Sequence, residues 1–378
     1  MNSRFPRFRT LPVVFSFLSG LGAAPVAADN AVTVESFIAR ATGDNPRNTE
    51  ADVLVRRDGS LLVAWSDFYA GSRDDAPARI SASVSTDGGR TWAPRFTLQE
   101  NTGGANVMSV SFVRLRTGEV LFFFLQKNSL TDLKAYVRRS TDDARTWGEP
   151  VLVTADPGYH VMNNARVIQL RSGRLLAPVA STKQVWTKND DFRTSVYLSD
   201  DDGRTWRRSR TLLSAPKRGA MEPGLVELKD GRVMQIIRTQ TGFIWRSFSN
   251  DGGETWTDAS PWDIESPESP ATLAVIPGGD WLLVWNPKVE WSNPEKTVLG
   301  ANHGGARTPL ATMVSADEGR TWSRARNLEG NPDSTFAYTS VTFHEGRALL
   351  TYYDFPKGGK LLSLKFKSVP LAWFRALE

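Results

Sequence analysis

The chain has 378 residues, and its 46 Lys and Arg residues against 41 Asp and Glu residues give a formal charge of +5. It contains no Cys, which excludes disulfide bonds, a thiol nucleophile and thiolate metal sites. Its 13 Trp and 19 Phe residues can build a large apolar core without covalent cross-links.

The N-terminal segment has the three parts of a secretory signal peptide. Three Arg residues precede an apolar run that is too short to span a bilayer, and small residues then offer a cleavage site before Asp29. We therefore predict a cleaved signal peptide over residues 1–28 and a single mature domain over residues 29–378, periplasmic or secreted and not inserted in a membrane. Loss of the three Arg residues would lower the formal charge from +5 to +2. The net positive charge therefore gives no reason to expect a nucleic-acid partner.

Residues 31–41 (AVTVESFIARA) have the composition of a strand, and two repeats follow them along the chain. The first repeat is a hairpin pattern, in which two short apolar runs flank a turn that ends in Gly. No stretch has a long 3.6-residue period, so we predict a nearly all-β chain. The hairpin pattern occurs six times, with turns at Gly59, Gly118, Gly173, Gly231, Gly279 and Gly346.

The second repeat is the eight-residue motif Ser-x-Asp-x-Gly-x-Thr-Trp, which follows each of the first five hairpins. Asp and Gly favour a turn, and Trp can anchor that turn against a neighbouring sheet. Only the second copy departs from the motif, with Ala144 in place of Gly. The five copies begin at Ser85, Ser140, Ser199, Ser249 and Ser315.

Repeats at this spacing are typical of a β-propeller. Six hairpins and their motif turns predict six blades of four antiparallel strands each. The sixth repeat has no motif copy after Gly346, so one of its strands has to come from elsewhere. We predict an all-β, six-bladed β-propeller that is closed by the N-terminal strand, residues 31–41, pairing into the last blade.

Polar residues stand just ahead of every hairpin, where the innermost strand of each blade should lie. In a propeller these strands line the central channel, so their side chains should converge on one axis. Two further Arg residues, Arg238 and Arg307, lie on apolar strands after hairpins, and a charge in that setting is usually paired or functional. The residues ahead of the hairpins include Arg47, Glu50, Asn164, Arg166, Glu222 and Tyr338.

These residue types suit an anionic sugar. Arg side chains bind carboxylate, phosphate or sulfate through paired hydrogen bonds. A carboxylate on the reacting carbon would repel an Asp or Glu nucleophile, whereas a neutral Tyr that is deprotonated by a neighbouring Glu avoids that repulsion.

With five such motif turns, called Asp boxes, and these site residues, the chain resembles the sialidases (neuraminidases), which are six-bladed propellers. The resemblance covers nearly all of the mature chain and is closest to bacterial sialidase-like proteins with these repeats. It implies that Arg47, Arg238 and Arg307 clamp the substrate carboxylate. It also implies that Tyr338 is the nucleophile and that Glu222 activates it.

Other positions depart from the family pattern or leave a choice. Arg47 is followed by Asn and Thr where the family has Ile and Pro. Asp354, which would hold Arg47, stands where the family more often has Glu. The acid/base residue falls in the loop before the first Asp box, where Asp74 and Asp75 both qualify and position favours Asp74.

The implied reaction is the retaining hydrolysis of a sialylated or related acidic glycan, with a glycosyl–Tyr338 intermediate and no metal or other cofactor. Two alternatives remain open: a non-catalytic propeller that binds a glycan, and an enzyme that acts on another acidic polysaccharide by hydrolysis or elimination. Asn164 and Arg166, which have no place in the sialidase scheme, favour the second alternative and are further candidates for substrate binding. Glu50 is a candidate support for the Arg cluster.

Overall fold

The structure is a computed structural model that describes Met1 and residues 32–187, 190–287 and 307–375. The predicted signal peptide lies outside the described residues, apart from Met1. Within the described part of the chain, no helix has the length and apolar character needed to cross a bilayer. The regular structure of these residues is almost entirely β-strand, which confirms the predicted all-β class.

The described chain falls into six units of four strands, here named units 1 to 6, and the first strand of the chain belongs to the last unit. The first strand of the chain is β1 (Val34–Ala39). Unit 1 contains β2 (Arg47–Val55), β3 (Leu61–Phe68), β4 (Ala78–Ser85) and β5 (Phe96–Gln99). Unit 2 contains β6 (Asn106–Arg114), β7 (Val120–Lys127), β8 (Leu133–Ser140) and β9 (Val151–Leu152). A short strand, β10 (Tyr159–Val161), comes next. Unit 3 contains β11 (Ile168–Gln169), β12 (Leu175–Thr182), β13 (Arg193–Ser199) and β14 (Arg207–Arg208).

The second half of the chain continues the series. Unit 4 contains β15 (Met221–Glu227), β16 (Val233–Arg238), β17 (Phe243–Ser249) and β18 (Ser260–Glu265). Unit 5 contains β19 (Thr272–Val275), β20 (Trp281–Trp285), β21 (Leu310–Ser315) and β22 (Arg326–Glu329). Unit 6 contains β23 (Ser334–His344), β24 (Arg347–Pro356), β25 (Ser363–Pro370) and, as its fourth strand, β1. A short helix, α1 (Leu371–Arg375), follows.

The pairing of β1 with β25 confirms that the N-terminal strand completes the last unit. The two strands are antiparallel, with Val34 opposite Ser368 and Ala39 opposite Leu364. The six predicted hairpins also form, each between the first and second strands of a unit, and all six turn glycines have positive φ. Positive φ is accessible to Gly without a steric penalty, which explains why Gly stands at each of these turns.

Units 2 and 3 differ from the predicted pattern of separate four-stranded blades. The short strand β10 pairs in parallel with β8 at Tyr159 and Leu133, and antiparallel with β12, so that the two units share one nine-stranded sheet. His160 fixes β10, with one ring nitrogen 2.8 Å from Ser181 Oγ and the other 2.8 Å from the Asp156 carbonyl oxygen. The sequence did not predict β10, because a strand of three residues is too short to show an alternating pattern.

The Asp boxes form tight turns between the third and fourth strands, as predicted. In the first box, Ser85 Oγ donates to Asp87 Oδ1 at 2.7 Å and accepts from the Gly89 amide at 2.9 Å. The Asp87 carboxylate also accepts from the Thr91 amide at 3.0 Å and from Thr91 Oγ1 at 2.5 Å. The polar groups of the motif therefore find their hydrogen-bond partners within the motif itself. The same bonds recur in the other four boxes.

Each Asp box packs against the preceding unit. A Cβ at Gly89 would collide with the ring of Phe366 in unit 6, and Trp92 makes an edge contact with the same ring at 5.2 Å between centroids. In unit 5, a Cβ at Gly319 would lie 2.6 Å from Trp262 of unit 4. The fifth motif position is therefore restricted by close packing as well as by backbone conformation.

The apolar core consists of clusters that join neighbouring units, and the cluster of units 2 and 3 also includes Phe68 and Ala78 of unit 1 and Met221 of unit 4. One cluster joins units 1 and 2, and the series continues pair by pair to units 5 and 6. A further cluster joins unit 6 to unit 1, where Trp65 and Val63 pack with Leu364 and Phe366. Full burial of each such side chain contributes about 1.5–3 kcal/mol, so the contacts between units hold the fold together.

Acid should unfold this protein through its Asp boxes. The hydrogen bonds from Thr91 lower the pKa of Asp87 from 3.8 to about 2, and the pKa values of Asp201 and Asp317 also fall to about 2. Because these carboxylates bind protons less readily in the folded chain than in the unfolded one, their stabilisation is complete above pH 3.8 and is lost as the pH falls through about 2. Thermal unfolding followed by circular dichroism should therefore show a falling Tm over this window.

Asp87→Asn should lower Tm near neutral pH and weaken its fall at low pH. Glu149→Gln, which changes an exposed carboxylate outside the boxes, should do neither. A Tm that stays constant down to about pH 2 would contradict a stabilising role of the box carboxylates.

Candidate active site

The site is organised by residues with left-handed backbone at the first strands of the units. In units 1, 2, 4 and 6 the register between the first and second strands shifts at this point, which defines a β-bulge. A bulge turns a side chain away from the regular alternation of the strand. The left-handed residues are Glu50 (φ 55°), Ser109 (54°), Ala165 (55°), Glu222 (35°) and Tyr338 (59°).

Four of these five side chains line one cleft, which has about 730 Å³ of empty volume. This figure includes the open solvent at the mouth of the cleft. The polar lining includes Glu50, Asp74, Lys127, Glu222, Arg238 and Tyr338. The apolar lining includes Leu125, Tyr159, Val185, Trp186 and Phe192. Among the described residues, no group of three or more His, Asp or Glu side chains is arranged to hold a metal ion.

Tyr338, Glu222 and Arg238 form a connected chain of polar groups on one side of the cleft. Tyr338 Oη donates to Glu222 Oε1 at 3.1 Å, and Arg238 Nη1 donates to Glu222 Oε2. Arg238 Nη2 also lies 3.3 Å from Glu268 Oε1. Glu222 and Arg238 are close because β15 and β16 form one hairpin, in which Met221 is the register partner of Arg238.

Charge and burial set the protonation states of this chain. Burial raises the pKa of Glu222, but the nearby guanidinium of Arg238, followed by those of Arg307 and Arg166, brings it below the ordinary value of 4.5. Burial and then the negative charge of Glu222 raise the pKa of Tyr338 well above 10. At neutral pH Glu222 is therefore a carboxylate and Tyr338 a phenol, so Glu222 can accept the phenolic proton.

Arg47 binds two carboxylates at the opposite side of the cleft. Its Nη2 donates to Glu50 Oε1 at 3.2 Å, and its Nη1 donates to Asp74 Oδ1. These two charges outweigh the effect of burial and raise the pKa of Arg47 above its usual range. Glu50 and Asp74 therefore line the cleft, whereas Arg47 lies behind them and does not line it.

The structure separates the two candidate acids. Asp74 lines the cleft, and its side chain is 42% exposed. Asp75 is instead paired with Arg73 at 3.0 Å, on the exposed outer side of the loop. Asp74 is thus the carboxyl group that can reach a molecule bound in the cleft.

Two buried side chains to which the resemblance gave no role hold the loop of Asp74. Lys127 Nζ and Asn106 Nδ2 both donate to the Asp74 carbonyl oxygen, at 2.6 and 2.8 Å. Lys127 and Asn106 are register partners on β7 and β6, so they reach the same carbonyl together. Lys127 is 1% exposed and follows Gln126 at the end of a strand whose first six residues are apolar, which was the signal available in the sequence.

Arg307 reaches Tyr338 from behind. Its guanidinium lies 5.6 Å from the centre of the Tyr338 ring. It donates to Tyr353 Oη at 3.1 Å and to the Glu268 carbonyl oxygen at 3.2 Å. Of the three predicted Arg residues, Arg238 lines the cleft directly, while Arg47 and Arg307 stand behind other lining residues.

The resemblance implied that Asp354 holds Arg47, but the structure shows no ion pair between these two described residues. Within the described part of the chain, the ion-pair partners of Arg47 are Glu50 and Asp74. Asp354 lies on β24 opposite Phe336, and its Oδ1 is buried without a hydrogen-bond partner. The bulge at Glu50, three residues along the same strand as Arg47, brings that carboxylate into contact instead.

Asn164 and Arg166, which the sequence offered as candidates for substrate binding, are buried and do not line the cleft. Asn164 is 0% and Arg166 3% exposed, and neither lines the cleft. Arg166 Nη2 donates to the Ala271 carbonyl oxygen at 2.9 Å, and burial lowers the pKa of Arg166 to about 10. Both residues connect strands of different units, because the segment between β10 and β11 crosses the centre of the molecule.

Arg218 is a further lining residue that the sequence analysis missed. Its guanidinium makes two parallel bonds to Asp190, at 2.9 and 2.8 Å, and lies 3.2 Å from Glu268 Oε1. All three side chains are nearly fully buried. A basic residue four positions before Glu222 was the only signal in the sequence.

Comparisons with known proteins identify relatives of this chain. The family described as BNR repeat-like domain matches residues 59–350. The chain belongs to this BNR-repeat family. A sialidase of Micromonospora viridifaciens is 26% identical to this BNR-repeat protein, over 98% of the chain and 61% of the sialidase. The BNR-repeat protein thus spans about three-fifths of the length of that relative.

Solved structures show the same fold. A protein of unknown function from Dyadobacter fermentans matches with a TM-score of 0.71 and 18% identity, over 89% of this BNR-repeat protein and 97% of that chain. A Hadza microbial sialidase, Hz136, matches with a TM-score of 0.70 and 19% identity, over 90% of this chain and 69% of that chain. This BNR-repeat protein is therefore sialidase-like in sequence and fold.

Arg218→Met should strongly destabilise this BNR-repeat protein. The change removes both charge-assisted bonds of Asp190 while leaving its carboxylate buried. Breaking one side of a buried ion pair costs about 3–5 kcal/mol, which denaturant unfolding can measure. Arg207→Met, which breaks a half-exposed pair with Glu254, should cost about 1 kcal/mol or less. Equal losses in the two variants would contradict a structural role for the Arg218–Asp190 pair.

Proposed function

We propose that this protein is an exo-acting glycoside hydrolase that releases terminal sialic acid, or a related acidic sugar, from glycans by a retaining mechanism. The observation that carries the proposal is the hydrogen bond of 3.1 Å from Tyr338 Oη to Glu222 Oε1, inside a cleft lined by Arg238. A buried phenol beside a carboxylate is the arrangement of an activated Tyr nucleophile.

We further propose that the six units are the blades of a closed six-bladed propeller. The shared clusters support this arrangement, because they join every consecutive pair of units and also unit 6 to unit 1. The cleft then lies at one mouth of the central channel, where the first strands of the blades meet. The mature chain would act in the periplasm or outside the cell, after removal of residues 1–28.

The basic side chains of the site suit a substrate carboxylate. Arg238, Arg307 and Arg47 are bonded to Glu222, Tyr353 and Glu50, which fixes their orientation before a ligand arrives. In the substrate-free site Asp74 supplies one of the oxygens on Arg47. An incoming carboxylate would take that place on Arg47, and Asp74 would then turn to the glycosidic oxygen as the acid.

The proposed reaction has two steps. In the first, Tyr338 Oη attacks the anomeric carbon while its proton passes to Glu222, and Asp74 donates a proton to the departing glycosidic oxygen. The aglycone leaves as an alcohol, and the sugar remains bonded to Tyr338. In the second, Asp74 takes a proton from water, the water oxygen attacks the anomeric carbon, and Tyr338 leaves and recovers its proton from Glu222.

The tyrosine–glutamate pair favours hydrolysis over simple glycan binding. A binding site needs the basic residues but gains nothing from a phenol whose proton acceptor is already in place. The raised pKa of Tyr338 supports the same conclusion, because the phenol becomes a useful nucleophile only when Glu222 removes its proton during attack.

Release of a fluorophore from an α-linked sialic acid conjugate tests the proposal. The folded wild-type protein should release the fluorophore, and Tyr338→Phe should lower kcat/KM by at least about 10³-fold, because no oxygen remains to attack. Tyr353→Phe removes the hydroxyl that accepts from Arg307 and should raise KM about 5-fold with little change in kcat.

Each other outcome has a defined meaning. No release by the folded wild type would contradict sialidase activity. An unsaturated sugar product would indicate elimination in place of hydrolysis. Equal activity of Tyr338→Phe and the wild type would exclude Tyr338 as the nucleophile.

A further inference from the structure

One amide group joins two of the β-bulges that shape the site. Asn164 Nδ2 donates to the Ala51 carbonyl oxygen at 2.7 Å and to the Tyr338 carbonyl oxygen at 3.1 Å. Ala51 follows Glu50 within the bulge of β2, and Tyr338 lies within the bulge of β23. Residues within a bulge have no regular ladder partner, so their carbonyl oxygens need hydrogen bonds from elsewhere.

We propose that Asn164 is a positioning residue, which fixes the main chain of Tyr338 relative to that of Glu50. It would act on catalysis only through these two residues, since it is 0% exposed and does not line the cleft. Tyr338 carries the hydroxyl that faces Glu222, and Glu50 holds Arg47. This inference rests on the proposed function for its catalytic meaning, but its structural part can be tested without activity.

The chemistry of the side chain explains why Asn stands at this position. An amide nitrogen carries two hydrogens on one atom, and here both have a carbonyl acceptor. Asp has the same shape but only accepts hydrogen bonds, Ser has one donor, and Leu has none. Because the group is fully buried, water cannot replace either bond.

The donor is itself held in place by unit 2. The Ala165 amide donates to the Val110 carbonyl oxygen at 2.8 Å, and the Arg166 amide donates to Ser111 Oγ at 3.0 Å. The left-handed residue of unit 3 is Ala165, whose small side chain adds no functional group to the cleft. The segment before unit 3 thus contributes a buried residue that holds the main chain of other units, whereas those units contribute the polar side chains of the cleft.

The conformation of Tyr338 makes this support important. Its φ of 59° is disfavoured for a bulky residue, so neighbouring contacts have to maintain it. The next carbonyl oxygen along the bulge, that of Thr339, accepts from Thr272 Oγ1 at 2.6 Å. Loss of the Asn164 bond would leave one of these two restraints, and the Tyr338 ring would move away from Glu222.

Kinetics of Asn164→Leu and Asn164→Asp test the catalytic part. We expect kcat to fall about 100-fold in both, because a small displacement of a reacting group has an effect of that size. KM should change by a much smaller factor, since Arg238 and Arg307 keep their own partners. Asn164→Ser, which keeps one donor, should lie between these variants and the wild type.

Thr342→Val is the matched control. Thr342 Oγ1 donates to the Val53 carbonyl oxygen at 3.0 Å, so this bond also links β23 to β2, but beyond both bulges. The control should lose stability with kcat within about 2-fold of the wild type. If Asn164→Leu loses stability but keeps kcat within the same range, Asn164 is only structural and the inference is overturned.

Crystal structures of the wild type and the Asn164 variants test the structural part. In Asn164→Leu, or in Asn164→Ser if the first variant does not fold, the distance from Tyr338 Oη to Glu222 Oε1 should exceed about 3.5 Å, the limit of a hydrogen bond. An unchanged distance of 3.1 Å with positive φ at Tyr338 would overturn the inference. A wild type without sialidase activity would instead contradict the proposed function and leave this structural comparison valid.

Discussion

The left-handed residues at the first strands are the constraint on which the rest of the site depends. A regular strand would send alternate side chains into the cores between units, and the cleft would receive few functional groups. The bulges break this alternation at the same level in units 1, 2, 4 and 6. Each left-handed residue of this kind costs about 1–3 kcal/mol, which the surrounding cores and hydrogen bonds must offset.

Three Arg side chains share one buried glutamate as a partner. Glu268 is 1% exposed and contacts both Arg218 and Arg238 through its carboxylate, while its carbonyl oxygen accepts from Arg307. A buried carboxylate is tolerated only when such partners surround it. One residue between units 4 and 5 therefore sets the orientation of basic groups from three different segments. A bound anion would meet guanidinium groups that need little rearrangement.

The sequence predicted the fold well because turns depend on local chemistry. The hairpin glycines and the Ser–Asp–Gly–Thr bonds of the boxes act within eight residues, and their pattern is visible without a structure. Glu222 and Arg238 were found for a related reason, since both lie on one hairpin with a fixed spacing. The strand β1 was placed correctly because the sixth repeat lacked a fourth strand.

The residues that were missed or misassigned depend on register and on distant contacts. Asp354 occupies the expected position along the chain, but the bulge of β2 gives Arg47 a nearer partner in Glu50. Lys127 and Asn106 act on a loop that is remote in sequence, through their alignment across two strands. The sequence suggested Asn164 as a substrate-binding residue because it stands in a polar run before a hairpin. Such a run does not show which of its side chains reach the cleft and which are buried beneath it.

The pairing of the first and last strands has a consequence for the way this chain is made. Unit 6 lacks one of its strands until β1 meets β25, and these strands lie at opposite ends of the sequence. Because β25 is synthesised after β1 and all the strands between them, unit 6 stays incomplete until that point, and the cluster between units 6 and 1 forms late. For a precursor with the predicted signal peptide, the same delay would keep the chain open while it crosses a membrane, and the final fold would assemble on the far side.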